Sequence, residues 1–163
     1  MATQFGVKAK KALGQHFLTD ESIAKRIVES LLFPRDCNGN RTGNVVCNNK
    51  QQEESQKSSP DKMQVLEIGP GTGVLTKYLL QEERIRLEVA EIDTESIEYL
   101  QKTYPQLLYS LQQRDFLQIP LEKIFAGEFA VIGNFPYNIS SQIFFKVLDY
   151  KETIPQVVCM LQK

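Results

Sequence analysis

The run Glu67-Ile68-Gly69-Pro70-Gly71-Thr72-Gly73 constrains the fold of this chain more than any other stretch. It closes the apolar segment 63–68, short enough for a buried strand, and opens residues 74–80, whose apolar positions recur at helical spacing. Three glycines at alternate positions let the backbone turn tightly and approach a ligand with no side chain in the way. A strand, a glycine turn and a helix in that order begin a βαβ unit, with the turn at the carboxyl end of the strand. Taken alone, the motif also reads as a purely structural turn.

Downstream the alternation repeats. Residues 87–92 predict a second strand, and 94–102 a helix capped by Asp93. Residues 107–111 and 129–133 predict a third and a fourth strand. A helix follows over 140–149, with Ile143, Phe144, Val147 and Leu148 on one face, and 157–161 predict a fifth strand. Such alternation implies an α/β fold, a parallel sheet with helices on both faces. Upstream, Asp20 caps a helix over 20–32, in which Ile23, Ala24, Ile27, Val28, Leu31 and Leu32 recur at helical spacing and which Pro34 stops. Residues 1–19 read as a basic, loop-like arm. Residues 34–62, dominated by Asn, Gln, Ser, Lys and Glu, bury too little apolar surface to offset their ordering entropy and read as a polar loop or insertion.

A length of 163 residues is one domain's worth, and 42% hydrophobic with 24% charged residues excludes wholesale disorder. No apolar run approaches the roughly 18 residues of a membrane span, and no charged-then-apolar leader opens the chain, so a cytoplasmic protein is expected. Cys37, Cys47 and Cys159 have neither the even count of a disulfide framework nor the CxxC spacing of a zinc site, so no metal is expected. Residues 1–63 carry 10 Lys and Arg against 7 Asp and Glu, and residues 64–163 carry 9 against 13. That basic front, with Lys8, Lys10 and Lys11, fits either an anionic partner or a solvated tail.

Several residues carry chemistry. The glycine spacing is G-x-G-x-G, and Pro70 removes a backbone donor that a pyrophosphate would use. Both points disfavour a nicotinamide dinucleotide and favour a cofactor without phosphates, which S-adenosylmethionine satisfies. Glu91 closes the second strand 22 residues after Gly69, where an acid accepts from both ribose hydroxyls of a nucleoside. Its neighbours Glu88 and Asp93 read as a solvated position and a helix cap. Asp115, after the third strand, accepts from an adenine amino group on this reading and is otherwise a turn aspartate. In Asn134-Phe135-Pro136-Tyr137 an amide oxygen and a proline-fixed carbonyl grip an exocyclic amino group by both hydrogens, while the aromatic ring stacks on an extruded base. The alternative is an Asn-X-Pro turn beside a core tyrosine. His16, the one histidine, is by itself more often structural than catalytic.

Residues 14–18, 65–73, 90–93, 115–116 and 134–141 together resemble the rRNA adenine dimethyltransferases, which dimethylate adjacent adenines near the 3′ end of small-subunit rRNA. The glycine motif marks only an S-adenosylmethionine enzyme. The Asn-aromatic-Pro-Tyr tetrapeptide narrows this to amino-group methylation, and Gly-Gln-His-Phe-Leu narrows it to the rRNA family. The resemblance implies a Rossmann-like class I S-adenosylmethionine-dependent methyltransferase fold, incomplete at its C-terminus. It places His16, Leu18, Gly69, Gly71, Glu91, Asp115 and Asn134 around the cofactor, and Asn134, the Pro136 carbonyl and Tyr137 around the target adenine. His16 stands where many relatives have asparagine, and Phe135 replaces the more usual leucine. Relatives continue into further strands and a small helical RNA-binding domain, so the chain reads as a truncated form.

The resemblance implies direct in-line methyl transfer to N6 of two adjacent adenines, with small-subunit rRNA in an immature ribosomal particle as partner and neither a membrane nor an obligate protein partner. Three alternatives stand beside it: a large-subunit rRNA methyltransferase of the antibiotic-resistance type, a catalytically silent fragment that binds cofactor or RNA, and a nicotinamide dehydrogenase.

Overall fold

The computed structural model describes residues 3–4, 7–8, 18–31 and 62–161. The polar stretch 34–61 and His16 therefore lie outside the described residues. Near the N-terminus two-residue strands, β1 (Thr3–Gln4) and β2 (Val7–Lys8), pair antiparallel, where the sequence reads as loop. Strands this short present no period to read, and their pairing rests on local hydrogen bonds.

Helix α1 (Glu21–Glu29) begins as its sequence predicts: the Asp20 carboxylate accepts from the N–H groups of Ser22 at 2.8 Å and Ile23 at 3.2 Å. It buries Ala24 and Val28, four apart on one face, and ends at Ser30, whose N–H bonds back to Arg26 and Ile27. Glu21 accepts from the Tyr78 hydroxyl at 2.7 Å and pairs with Lys77, which holds α1 against α2 (Thr76–Leu79).

A five-stranded sheet follows, built from β3 (Met63–Ile68), β4 (Ile85–Glu91), β5 (Leu111–Gln113), β6 (Ala130–Asn134) and β7 (Gln156–Met160). Its order is β5-β4-β3-β6-β7 and every pairing is parallel. Central strands of such sheets are covered on both faces, and β3 accordingly buries five of its six residues. Alternate residues feed two cores. Val65, Val89 and Ile132 pack under α1, α2 and α3 (Thr94–Thr103). On the opposite face Leu66, Ala90 and Val131 pack with Phe135 and with Ile143 and Val147 of α4 (Ser140–Asp149).

The third strand departs from its predicted place. Pro105 opens a 3₁₀ turn, Pro105–Leu107, that buries Leu107, and the ladder begins only at Leu111. Leu107 and Leu111 are both core residues, but the first belongs to the turn. The helix after the glycines is also shorter than its apolar pattern, because turns occupy the chain from Gly71 to Leu75. From β5 at one edge the chain returns to place β6 on the far side of β3. That reversal opens a crevice beyond the carboxyl ends of β3 and β6, where doubly wound sheets bind ligands. No helix among the described residues is long and apolar enough to cross a membrane.

Candidate functional site

Strand register brings the chemistry-bearing residues into one row. Ile68 pairs with Ala90 on one side and Gly133 on the other, and Glu91 pairs with Gln113. The residues that follow, Gly69, Glu91, Asp115 and Asn134, therefore stand along the carboxyl edge of four adjacent strands.

Gly69, Gly71 and Gly73 have φ of +64°, +57° and +76°, left-handed backbone that L side chains rarely adopt. All three of their N–H groups have internal acceptors: the Ala90 carbonyl for Gly69, the Glu91 carboxylate for Gly71 and the Pro70 carbonyl for Gly73. Pro70 has no N–H, so the loop is a floor rather than a cradle for phosphate. A Cβ built at Gly69 meets no atom within 4 Å, so the loop faces open space there. At Gly73 a Cβ would fall 2.6 Å from Cε2 of Tyr104, whose hydroxyl donates to the Gly73 carbonyl at 3.3 Å. Gly73→Ala is thus expected to cost about 2 kcal/mol or more. Thermal denaturation should show it as a midpoint lower by roughly 4–8 °C.

Glu91 is only 4% exposed. Its Oε2 accepts from Gly71 N–H at 3.0 Å, and its Oε1 from Ile92 and Asp93 N–H at 2.8 and 2.9 Å. Burial pushes this carboxyl above the usual range, and the three N–H groups act against that rise. The side chain ties β4 to the glycine loop and keeps, on Oε2, one lone pair that a ligand hydroxyl can use. Asp115 caps the 3₁₀ turn Phe116–Gln118 through Oδ1 on Leu117 N–H at 2.9 Å, so the turn role is real. Asn134 ends β6 half-buried, its carboxamide oxygen enclosed. Phe135 turns inward, fully buried, its ring edge-on to Phe144 at 5.8 Å between centroids. The Pro136 carbonyl accepts from Ile139 N–H at 3.2 Å, which leaves a second lone pair, and Tyr137 is 58% exposed.

The family model for ribosomal RNA adenine dimethylase matches residues 6–163. The chain belongs to the ribosomal RNA adenine dimethylase family. It is 48% identical over 157 residues to ribosomal RNA small subunit methyltransferase A of Cytophaga hutchinsonii, covering 96% of this chain and 51% of that protein. The counterpart from Parabacteroides distasonis is 49% identical, with 96% and 49% covered. The chain thus spans about half the length of the curated relatives it matches. Among solved structures, the 23S rRNA methyltransferase ErmE is similar at TM-score 0.57 and 25% identity, covering 84% of this chain and 44% of that one. A Plasmodium falciparum dimethyladenosine transferase shares the fold at TM-score 0.59 and 24% identity, over 91% and 44%. The Rossmann-like methyltransferase fold expected from the sequence is the fold observed.

In this ribosomal RNA adenine dimethylase family member, Leu18 is buried in the core under α1, so its side chain serves packing. Glu88, expected at a solvated position, is instead 9% exposed. A parallel sheet covered on both faces leaves little solvated surface along β4, and Gln112 of β5 donates to Glu88 at 3.3 Å. The sequence reading also passed over Glu67, the acid inside the glycine motif. It is 1% exposed, its Oε2 accepts from the Thr76 hydroxyl at 2.7 Å, and its Oε1 has no hydrogen-bond partner among the described residues. Burial, with the Glu91 charge nearby, pushes its carboxyl up to about 8. An acid inside a mostly apolar strand was the available signal.

Proposed function

We propose that this chain carries the methyl-transfer site of an rRNA adenine N6-dimethyltransferase. Its substrate is two adjacent adenines of small-subunit rRNA, presented in an immature ribosomal particle in the cytoplasm, and its methyl donor is S-adenosylmethionine. One observation carries the reading: Asp115, Glu91, Gly69 and Asn134 stand in a row along the carboxyl edge of the four adjacent strands β5, β4, β3 and β6. The 48% identity to a small-subunit rRNA methyltransferase supports the choice of RNA.

The residues fit that cofactor. Open space over Gly69 admits a nucleoside, and the glycine N–H groups, all engaged internally, ask for no phosphate. The lone pair left on Glu91 accepts from a ribose hydroxyl, Asp115 accepts from the adenine amino group, and the family's Gly-Gln-His-Phe-Leu motif adds His16 and Leu18 to the cofactor set. When bound, S-adenosylmethionine supplies an electrophilic methyl group on a positively charged sulfur.

The chain's own part is to make a poor nucleophile reactive. The lone pair of an adenine amino group is delocalised into its ring. Hydrogen bonds from its two protons to the Asn134 carboxamide oxygen, turned outward from its enclosed position as the base enters, and to the second lone pair of the Pro136 carbonyl draw the nitrogen toward a tetrahedral shape and free that pair. The exposed Tyr137 ring stacks on the base once it leaves its helix. Positioning then supplies most of the rate. No general base is needed before attack, because the amino proton becomes acidic only as the new bond forms.

Transfer of labelled methyl from S-adenosylmethionine to unmethylated small ribosomal subunits tests the proposal. Dimethyladenine is the expected product, and Asn134→Ala should lower the rate by about 100-fold or more, as loss of one pre-organised hydrogen-bonding group does. Equal transfer by the variant would overturn the assignment of Asn134. The likeness to ErmE favours a second reading, in which label enters the large subunit instead. Cofactor binding without transfer to either subunit would mean a silent binding fragment.

A further inference from the structure

Lysines on an amphipathic helix normally project into solvent, but Lys146 of α4 points inward. Its Nζ donates to the carbonyl of Phe116 at 2.7 Å and to that of Ile119 at 2.6 Å, and it lies 5.0 Å from the centre of the Phe116 ring. Those carbonyls belong to the 3₁₀ turn Phe116–Gln118 and the residue that ends it. Asp115 closes the other end of the same turn, through Oδ1 on Leu117 N–H and its carbonyl on Gln118 N–H, both at 2.9 Å. One ammonium therefore joins the helix that leaves the Asn134–Tyr137 loop to the turn that orients Asp115.

We propose that Lys146 is a positioning residue, which sets the Asp115 carboxylate for the adenine amino group of the cofactor and links that end of the pocket to the target-base loop. This rests on the S-adenosylmethionine reading above. The Nζ bonds run to backbone carbonyls rather than to the carboxylate, so Lys146 acts on the turn. Asp115 and Glu122 are the acids whose charge it feels, and Glu122 is itself held by the Tyr150 hydroxyl at 2.7 Å. Partial burial of the ammonium lowers its proton affinity, a cost that the two carbonyl bonds offset.

Calorimetric titration of the chain with S-adenosylhomocysteine, and with its hypoxanthine counterpart in which a carbonyl replaces the 6-amino group, tests this. Lys146→Met should weaken S-adenosylhomocysteine about tenfold, as loss of charge-assisted hydrogen bonds does. It should leave the weaker hypoxanthine analogue unchanged. Lys146→Arg should recover most of the affinity, and Lys146→Met with Asp115→Ala should bind no more weakly than Asp115→Ala alone. If Lys146→Met does not fold, Lys146→Gln, which keeps an uncharged N–H donor group, carries the same comparison with a smaller loss. Equal losses for both nucleosides, or losses additive with Asp115→Ala, would make Lys146 merely structural and overturn the proposal. Unchanged cofactor affinity with a raised KM for RNA would make it a phosphate contact and overturn it equally. Failure of the unmutated chain to bind S-adenosylhomocysteine would overturn the cofactor reading and this proposal together.

Discussion

Glu67→Gln is expected to make the protein more stable at pH 8 than its parent and to remove most of the parent's loss of stability between about pH 4.5 and 8. Glu67 is wholly buried with one hydrogen bond, from Thr76, and its carboxyl is pushed up to about 8. Below pH 4.5 the group is protonated in the folded and unfolded chains alike and costs nothing. Between 4.5 and 8 the unfolded chain releases the proton while the folded one keeps it, so stability falls by about 1.4 kcal/mol per pH unit. Above 8 both forms are ionised and the whole difference, about 5 kcal/mol, has been lost. Glutamine is neutral throughout, and its amide oxygen still accepts from Thr76. Glu88 and Glu91 are raised by burial too, so a shallower decline of the same sign remains. Urea denaturation of both proteins at pH 5 and pH 8 measures the effect. Parallel declines for parent and variant would show that Glu67 ionises normally in the folded chain.

Gly133→Ala is expected to destabilise by about 3 kcal/mol, at the severe end of overpacking. A Cβ at Gly133 would sit 2.6 Å from the backbone carbonyl oxygen of Ile68 and 2.9 Å from the Phe135 ring. A ring can swing aside, whereas that carbonyl belongs to the paired strand β3 and cannot move without opening the β3–β6 ladder. The same opening would part Gly69 from Asn134, so cofactor affinity should fall with stability. Shortening the ring in Gly133→Ala with Phe135→Leu should return only a minor share of the loss. Full recovery in urea denaturation would mean that the ring, not the strand spacing, set the limit.

The sequence by itself determined the elements and the motifs. Met63–Ile68 and Ser140–Asp149 lie where their patterns place them, because a short, mostly apolar run and a 3.6-residue period are local signals. The Asp20 and Asp93 caps were legible for the same reason: a short acid reaches N–H groups only two or three residues on. The alternating glycines of 69–73 announced a tight turn, and the three positive φ angles show that its backbone is left-handed. Tertiary structure alone decided what lies between distant segments. Leu107 has the same apolar signature in a buried turn as in a strand, and only pairing with β4 made Leu111 the first residue of the ladder. Glu88 and Glu67 read as ordinary acids until the sheet was covered on both faces. Lys146 reads as a solvated lysine until α4 packs beside the Asp115 turn, 27 to 30 residues away in sequence. Burial and register depend on contacts across the chain, and a local pattern does not contain them.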